Sequence, residues 1–270
     1  LTPRHHHTMS APYTVLMYHA TPAHPSDGQG ADPHYSVALD IFEQHLACLK
    51  QLGHSARSIE TVQAHQASGE RPVGMTFDDG HRTNLDAARA LSQYGWSGTF
   101  FVNPSTVGTP DFLSWEDMRI MVDLGMSIQS HAQHHRYLDE LSPNEQEQEL
   151  SASKAHIEQQ LGRRVTVFAP PGGRTNQHTA TLAQQVGYEC MCTSRVGLWQ
   201  AHDANRWDVP RFAMLAATPL PQLKAWVTQS PVEITKQVLR YRALRAMKSL
   251  MGNGGYERLR GALLGTPKDY

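Results

Sequence analysis

The chain has 270 residues, enough to bury one full core with at most a modest appendage. Apolar residues at 40% and charged residues at 18% are ordinary for a globular protein, and a formal charge of -1 gives no global field to attract nucleic acid, so no nucleic-acid partner is expected. No apolar run is long enough for a membrane-spanning helix, and three cysteines, Cys48, Cys190 and Cys192, are too few for a disulfide framework.

Residues 1–8 contain His5, His6 and His7 and read as an expression-tag remnant. Met9 reads as a natural start, and if it is one the protein is expected to be cytoplasmic; a trimmed leader would make it periplasmic instead. The first strand is expected over Tyr13–Tyr18, followed by a long Pro-, Gly- and His-rich loop from Thr21 to His34 that can cover a site. An amphipathic helix is expected over Asp40–Leu52, with Asp40 as N-cap and Gly53 as its stop. Strands at Val73–Phe77, Gly98–Val102 and Met126–Gln129 alternate with helices at Asn84–Tyr94 and Ser114–Leu124. A capped helix spans Ser142–Leu161, its Ser-Pro-Asn-Glu start placing proline at the first helical position. Strands at Val165–Ala169, Tyr188–Thr193 and Val209–Ala213 follow, with a helix over Thr179–Val186 between the first two. Seven or so β/α units in one domain over residues 9–230 predict an α/β fold with a parallel sheet wrapped in helices. Cys190 and Cys192 alternate within a strand, so both point to one face, as core residues or as metal ligands.

Three strand-end segments carry chemistry. Thr76-Phe-Asp-Asp-Gly80 puts two carboxylates, Asp78 and Asp79, at the C-terminal edge of a strand, where ligands bind in α/β folds; the same pair also suits a plain turn. Ser130-His-Ala-Gln-His-His135 follows the next apolar strand but one. His131 and His135, four apart, face the same way on one helical turn and can grip a metal ion; His134 can replace either if the segment is not helical. Two histidines and one carboxylate form an open coordination set for Zn²⁺, leaving the second carboxylate as a base on water. In Phe168-Ala-Pro-Pro-Gly-Gly173 the prolines fix the backbone and the glycines let main-chain N–H groups approach an oxyanion, although such a stretch is also an ordinary tight turn.

In this order and spacing the three segments resemble the motifs of the polysaccharide deacetylase family, also called NodB-homology or carbohydrate esterase family four, over roughly residues 13 to 215. The resemblance implies a distorted (β/α) barrel, usually seven-stranded, that removes N-acetyl groups from amino sugars of a polysaccharide or of its lipid- or nucleotide-linked precursor. It implies Asp78 as general base, Asp79, His131 and His135 as ligands of Zn²⁺ or another divalent transition metal such as Co²⁺ or Ni²⁺, and the Gly172 N–H as oxyanion donor. Removal of a formyl or other acyl group, and a catalytically silent carbohydrate-binding barrel, are the competing readings.

The chain departs from the family at two places. The arginine that usually precedes the proline pair and orients the base is Ala169 here, with Arg174 and Arg206 as candidate replacements, the latter in Arg206-Trp-Asp-Val-Pro-Arg211. The late histidine that usually serves as general acid is missing, since no histidine follows His202. His19, in Met17-Tyr-His-Ala20, can take that role. That segment, with Tyr35-Ser-Val37 downstream, resembles the exopolysaccharide-modifying branch, whose motifs are circularly permuted so that the acid histidine comes first. Trp115, Trp199 and Trp207 are candidate sugar-stacking surfaces or core residues. After Pro231 basic residues cluster, and residues 231–270 are expected to be a C-terminal helical extension. Its segment 233–251 reads as a basic amphipathic helix that can lie on an anionic membrane, pack on the barrel or join a second subunit in a homo-oligomer.

Overall fold

The computed structural model describes residues 12–64, 72–200 and 206–246. The expected tag segment, the Met9 start, and the tail after residue 246 lie outside these residues. Eight strands and seven helices alternate: β1 Val15–Tyr18, α1 Leu39–Gln51, β2 Ala56–Arg57, α2 Ile59–Ala64, β3 Val73–Phe77, α3 Asn84–Gln93, β4 Thr99–Val102 and α4 Trp115–Asp123. They continue as β5 Ser127–Ser130, α5 Pro143–Leu161, β6 Val167–Phe168, α6 Thr179–Val186, β7 Cys190–Met191, β8 Phe212–Ala213 and α7 Leu220–Val227. A further helix, α8, covers 231–246. Among the described residues no helix is long and apolar enough to cross a membrane.

Seven strands lie on one parallel path, β7-β6-β5-β4-β3-β1-β8, and β2 pairs with the start of β3. A single bridge from Cys192 to Val209 joins the end of β7 to the approach to β8, which brings the curled sheet close to closing. This is the expected distorted (β/α) barrel.

Strand alternation sorts the residues into two layers. Leu16, Tyr18, Met75, Phe77, Phe100, Val102, Phe168 and Phe212 point outward and form the core beneath the helices, where Phe77 and Phe100 stack at 4.4 Å. Val15, Phe101, Val167, Ala169, Cys190 and Cys192 point inward with Trp199. Cys190 and Cys192 are therefore core residues, both free thiols. At the lower end of the barrel, Glu60 accepts hydrogen bonds from Ser127 Oγ at 2.5 Å and Gln129 Nε2 at 2.7 Å. Gln129 Oε1 in turn accepts from the Thr166 and Val167 N–H groups, so the polar groups there are satisfied within the fold.

Two expectations need correction, and the alternative left open for Trp199 resolves to the core. Helix α1 begins at Leu39 with Ala38 at the cap position, and Asp40 sits inside the first turn, where its carboxylate favours the helix dipole instead of capping. The segment Ser130–His135 is not helical. Trp199 is only 1% exposed and packs with Tyr13 in the interior, so it offers no face to a sugar. Trp115 and Trp207 pack partly buried against the main core. The short β2 and α2, and α7 behind two prolines, carry too little periodic signal to have been expected from the sequence.

Candidate active site

The inward face of the barrel ends, at its upper rim, in the residues singled out by sequence. β3 presents Thr76 and then Asp78 inward, and the chain turns immediately afterwards. Asp79 takes a left-handed φ of 73° and Gly80 one of 68°. A Cβ at Gly80 would lie 3.0 Å from Val102 Cγ1, so glycine is what lets the turn pass beneath β4. Among the described residues four non-glycine positions have positive φ, and three of them, Asp79, Ala132 and His135, meet at this rim. Backbone strain of this kind persists only where surrounding contacts enforce it, and it clusters at functional sites.

The contacts that enforce it are present. The Asn103 side-chain amide donates to the carbonyl oxygens of His131 and Ala132. Glu149, buried on α5, accepts from the His134 N–H at 2.8 Å and pairs with His134 Nδ1 at 2.7 Å. His134 is thereby held by Glu149, and the side chains that cluster around Asp79 are those of His131 and His135. His131 and His135 converge through a tight non-helical turn, and the Nε2 atom of each lies 3.2 Å from Asp79 Oδ1.

These three side chains are the cluster of potential metal ligands found among the described residues. In a tetrahedral site with metal–donor bonds of about 2.0–2.1 Å, donors stand about 3.3 Å apart, close to the spacing here. His131 Nδ1 is engaged with the Ala169 carbonyl oxygen at 2.7 Å, which fixes the ring and leaves Nε2 to face Asp79. The donor set and its geometry fit a divalent transition metal. Without one, burial pushes the Asp79 carboxyl up, but hydrogen bonds from His131 and His135 outweigh it and hold the group well below the usual carboxylate range. Burial lowers the His135 imidazole, and its bond to Asp79 more than offsets this, holding it above the ordinary value.

Asp78 has different partners. Arg211, the residue immediately before β8, points into the barrel mouth and donates Nη1 to Oδ1 at 2.6 Å and Nη2 to Oδ2 at 2.8 Å. Its Nε donates to the Thr193 carbonyl oxygen at 2.9 Å, and Nη1 also reaches Thr76 Oγ1 at 3.2 Å. Both members of the pair are buried. Burial alone would push the Asp78 carboxyl up; the charges of Arg211 and His131 and the Arg211 bonds hold it below the usual range, so it stays ionised.

Arg211 is thus the arginine bonded to Asp78, rather than either residue offered by the sequence in place of the one absent at Ala169. Arg174 is held by Asp139 at 3.0 Å and Glu140 at 2.6 Å and lies over the Tyr137 ring at 4.4 Å. Arg206 lies in a turn before β8, where its carbonyl oxygen accepts from the Met191 N–H at 2.8 Å. The signal for Arg211 was available: an arginine at an inward position of a barrel strand must have a buried anionic partner.

His19 follows β1 on the same rim. Its carbonyl oxygen accepts from the Asn84 amide at 2.6 Å, and its ring lies 4.7 Å from that of Tyr35, tilted by 40°, in the long loop after β1. Its buried Nδ1 has no hydrogen-bond partner among the described residues. Gly172 lies in the turn Pro171–Gly173 at φ 60°, with Tyr137 Cε1 2.8 Å from where its Cβ would be. A side chain there would collide with the ring, so the glycine is what lets Tyr137 pack against this turn.

Residues 65–191 match the family described as polysaccharide deacetylase. Among curated proteins, the polysaccharide deacetylase YxkH of Bacillus subtilis is 30% identical over 188 residues, 68% of this chain; the chain spans 64% of that relative, just under two thirds of its length. Among solved structures, the Streptococcus pyogenes deacetylase PplD in complex with acetate is 28% identical with a TM-score of 0.72, over 81% of this chain and 99% of that one. BC0361, a polysaccharide deacetylase from Bacillus cereus, is 25% identical with a TM-score of 0.73, over 80% of this chain and 69% of that one. With the barrel, the ordered motifs and these relatives in agreement, the chain carries a polysaccharide deacetylase domain of the NodB-homology type, that of carbohydrate esterase family four.

Proposed function

We propose that the protein is a metal-dependent hydrolase that removes N-acetyl groups from amino sugars of a polysaccharide or of its lipid- or nucleotide-linked precursor. The observation that carries this reading is the division of labour between two adjacent carboxylates. Asp78 is clamped by Arg211, while Asp79 faces His131 and His135.

Asp79, His131 and His135 would hold the ion, whose Lewis acidity polarises the acyl oxygen and lowers the pKa of water. Asp78, kept ionised and fixed in direction by Arg211, takes the proton from the attacking water. The Gly172 N–H donates to the acyl oxygen as it gains negative charge. His19, protonated, donates to the sugar nitrogen as the C–N bond breaks; acetate and a free amine leave. The S. pyogenes relative, named as a deacetylase in complex with acetate, fits the same product.

The test is acetate release from N-acetylated oligosaccharides, polymers and lipid- or nucleotide-linked sugars by the metal-loaded protein and its Asp78→Asn variant. Release by the parent chain and loss in the variant are expected. No release from any N-acetylated sugar would overturn the reading, and release of formate alone from N-formyl sugars would replace the acyl group.

A further inference from the structure

The near-zero charge of the whole chain conceals a segregation. Eight of the 24 basic residues but three of the 25 acidic ones lie in residues 231–270, which leaves that segment at +5 and the remainder at -6. Four of these eight cations lie on α8, where Lys236, Arg240, Arg242 and Arg245 are all exposed. The one acidic residue of that helix, Glu233, lies 3.7 Å from Lys236.

Two faces of α8 carry most of its apolar residues, and Leu244, 39% exposed, lies between them. Ile234 packs against the main core and holds the helix on the barrel. Positions 232, 239, 243 and 246 follow helical spacing on the outward side and carry Val, Leu, Ala and Ala. Val232 is 75% exposed and Leu239 58%, and with Pro231, Thr235 and Lys236 they line an open groove. At about 100° per residue, Lys236 and Arg240 flank this stripe on one side and Arg242 on the other. A soluble polyanion would engage the cations and leave the apolar stripe in water. A bilayer with anionic headgroups engages both, burying the stripe at the acyl boundary while the long basic side chains reach the headgroups.

We propose that the outward face of α8 docks on an anionic lipid surface. The proposal concerns this face alone and is read out by lipid binding, independently of the catalytic reading. Each cation near such a surface contributes about fivefold to partitioning, and the attraction is screened by salt.

The experiment is co-sedimentation of the full chain with vesicles of phosphatidylcholine alone and of phosphatidylcholine with phosphatidylglycerol, with analytical ultracentrifugation of the free protein alongside. Binding to the anionic vesicles only, weakening as salt rises, is expected. The double variant Arg240→Gln/Arg242→Gln should bind about 25-fold more weakly, and Leu239→Gln should also weaken binding. These side chains are exposed, so circular dichroism should show the fold retained. Absence of binding, or equal binding to neutral vesicles, would overturn the proposal. So would anionic binding unchanged in the double variant, which would move it to residues 247–270. A dimer that Leu239→Gln dissociates, without vesicle binding, would assign the face to a second copy of the chain.

Discussion

Replacing Arg211 with lysine keeps a positive charge at the barrel mouth but removes the fork that fixes Asp78. Arginine makes two bonds to the carboxylate, 2.6 and 2.8 Å long, and a third to the Thr193 carbonyl oxygen. One ammonium on a shorter, more flexible stem cannot reproduce all three. At least one charge-assisted bond is lost, worth about 1.5–3 kcal/mol, and the base is freed to turn. Turnover should fall about 10–100-fold, the range for losing an orienting partner next to a reactive group. Metal affinity should be unchanged, because Arg211 does not touch Asp79, His131 or His135. The sign of the pH effect also follows. Arg211 holds the Asp78 carboxyl down, so weakening the pair raises it and moves the acidic limb of kcat/KM to higher pH. The assay is acetate release across pH for the parent chain and Arg211→Lys, with metal content and Tm measured on both. Arg211→Met provides the stability arm, since an uncompensated buried carboxylate costs about 3–5 kcal/mol. Parental turnover with an unmoved acidic limb in Arg211→Lys would refute the positioning role.

Other outcomes follow from the same geometry. Gly172→Ala forces a Cβ into a left-handed residue 2.8 Å from Tyr137 Cε1. Turnover should fall sharply while metal binding persists, as tracked by kinetics beside a metal titration; near-normal kcat would remove Gly172 as an oxyanion donor. Glu149→Gln loosens the turn bearing His131 and His135 and should weaken metal affinity about 10–100-fold, measurable by competition with a chelator. Metal binding should release protons and weaken as pH falls, because His135, held above its ordinary value, must be neutral to act as a ligand. Burial holds His45, bonded to the Tyr18 hydroxyl at 3.0 Å, down at about 4 against an ordinary 6.5. In that window the unfolded chain binds the proton and the folded chain does not. Stability is therefore complete above 6.5 and declines towards 4, by up to about 3 kcal/mol. Denaturant unfolding at about pH 7 and about pH 4.5 should show a smaller drop for His45→Gln than for the parent chain.

The fold was legible because the long strands and helices carry clear periods, and the two-residue period of the strands also predicts which side chains line the barrel. Asp78, Asp79, His131 and His135 were legible because each follows a strand directly, so the topology alone delivers them to one rim. The reason offered for pairing His131 with His135 was wrong, since they meet through a turn with φ of 66° at Ala132 and 54° at His135, not through a helix. Sequence spacing does not reveal positive φ at non-glycine residues. Glu149 was invisible for a related reason: it reads as one more polar residue on a polar helix, and only tertiary packing turns it to His134. Arg211 is not the arginine the sequence points to, although its strand is expected, because Arg174 and Arg206 stand nearer to Ala169 along the chain. The fold supplies the cation from the residue before β8 instead, through β8 lying beside β1.

The central claim is that Asp78 and Asp79 hold different jobs, and calorimetric titration of Zn²⁺ into the parent chain, Asp78→Asn and Asp79→Asn tests it most directly. The account predicts one site per chain in the parent, a retained site in Asp78→Asn despite lost turnover, and a lost or severely weakened site in Asp79→Asn. Undiminished zinc binding in Asp79→Asn, or no binding by the parent chain, would contradict it.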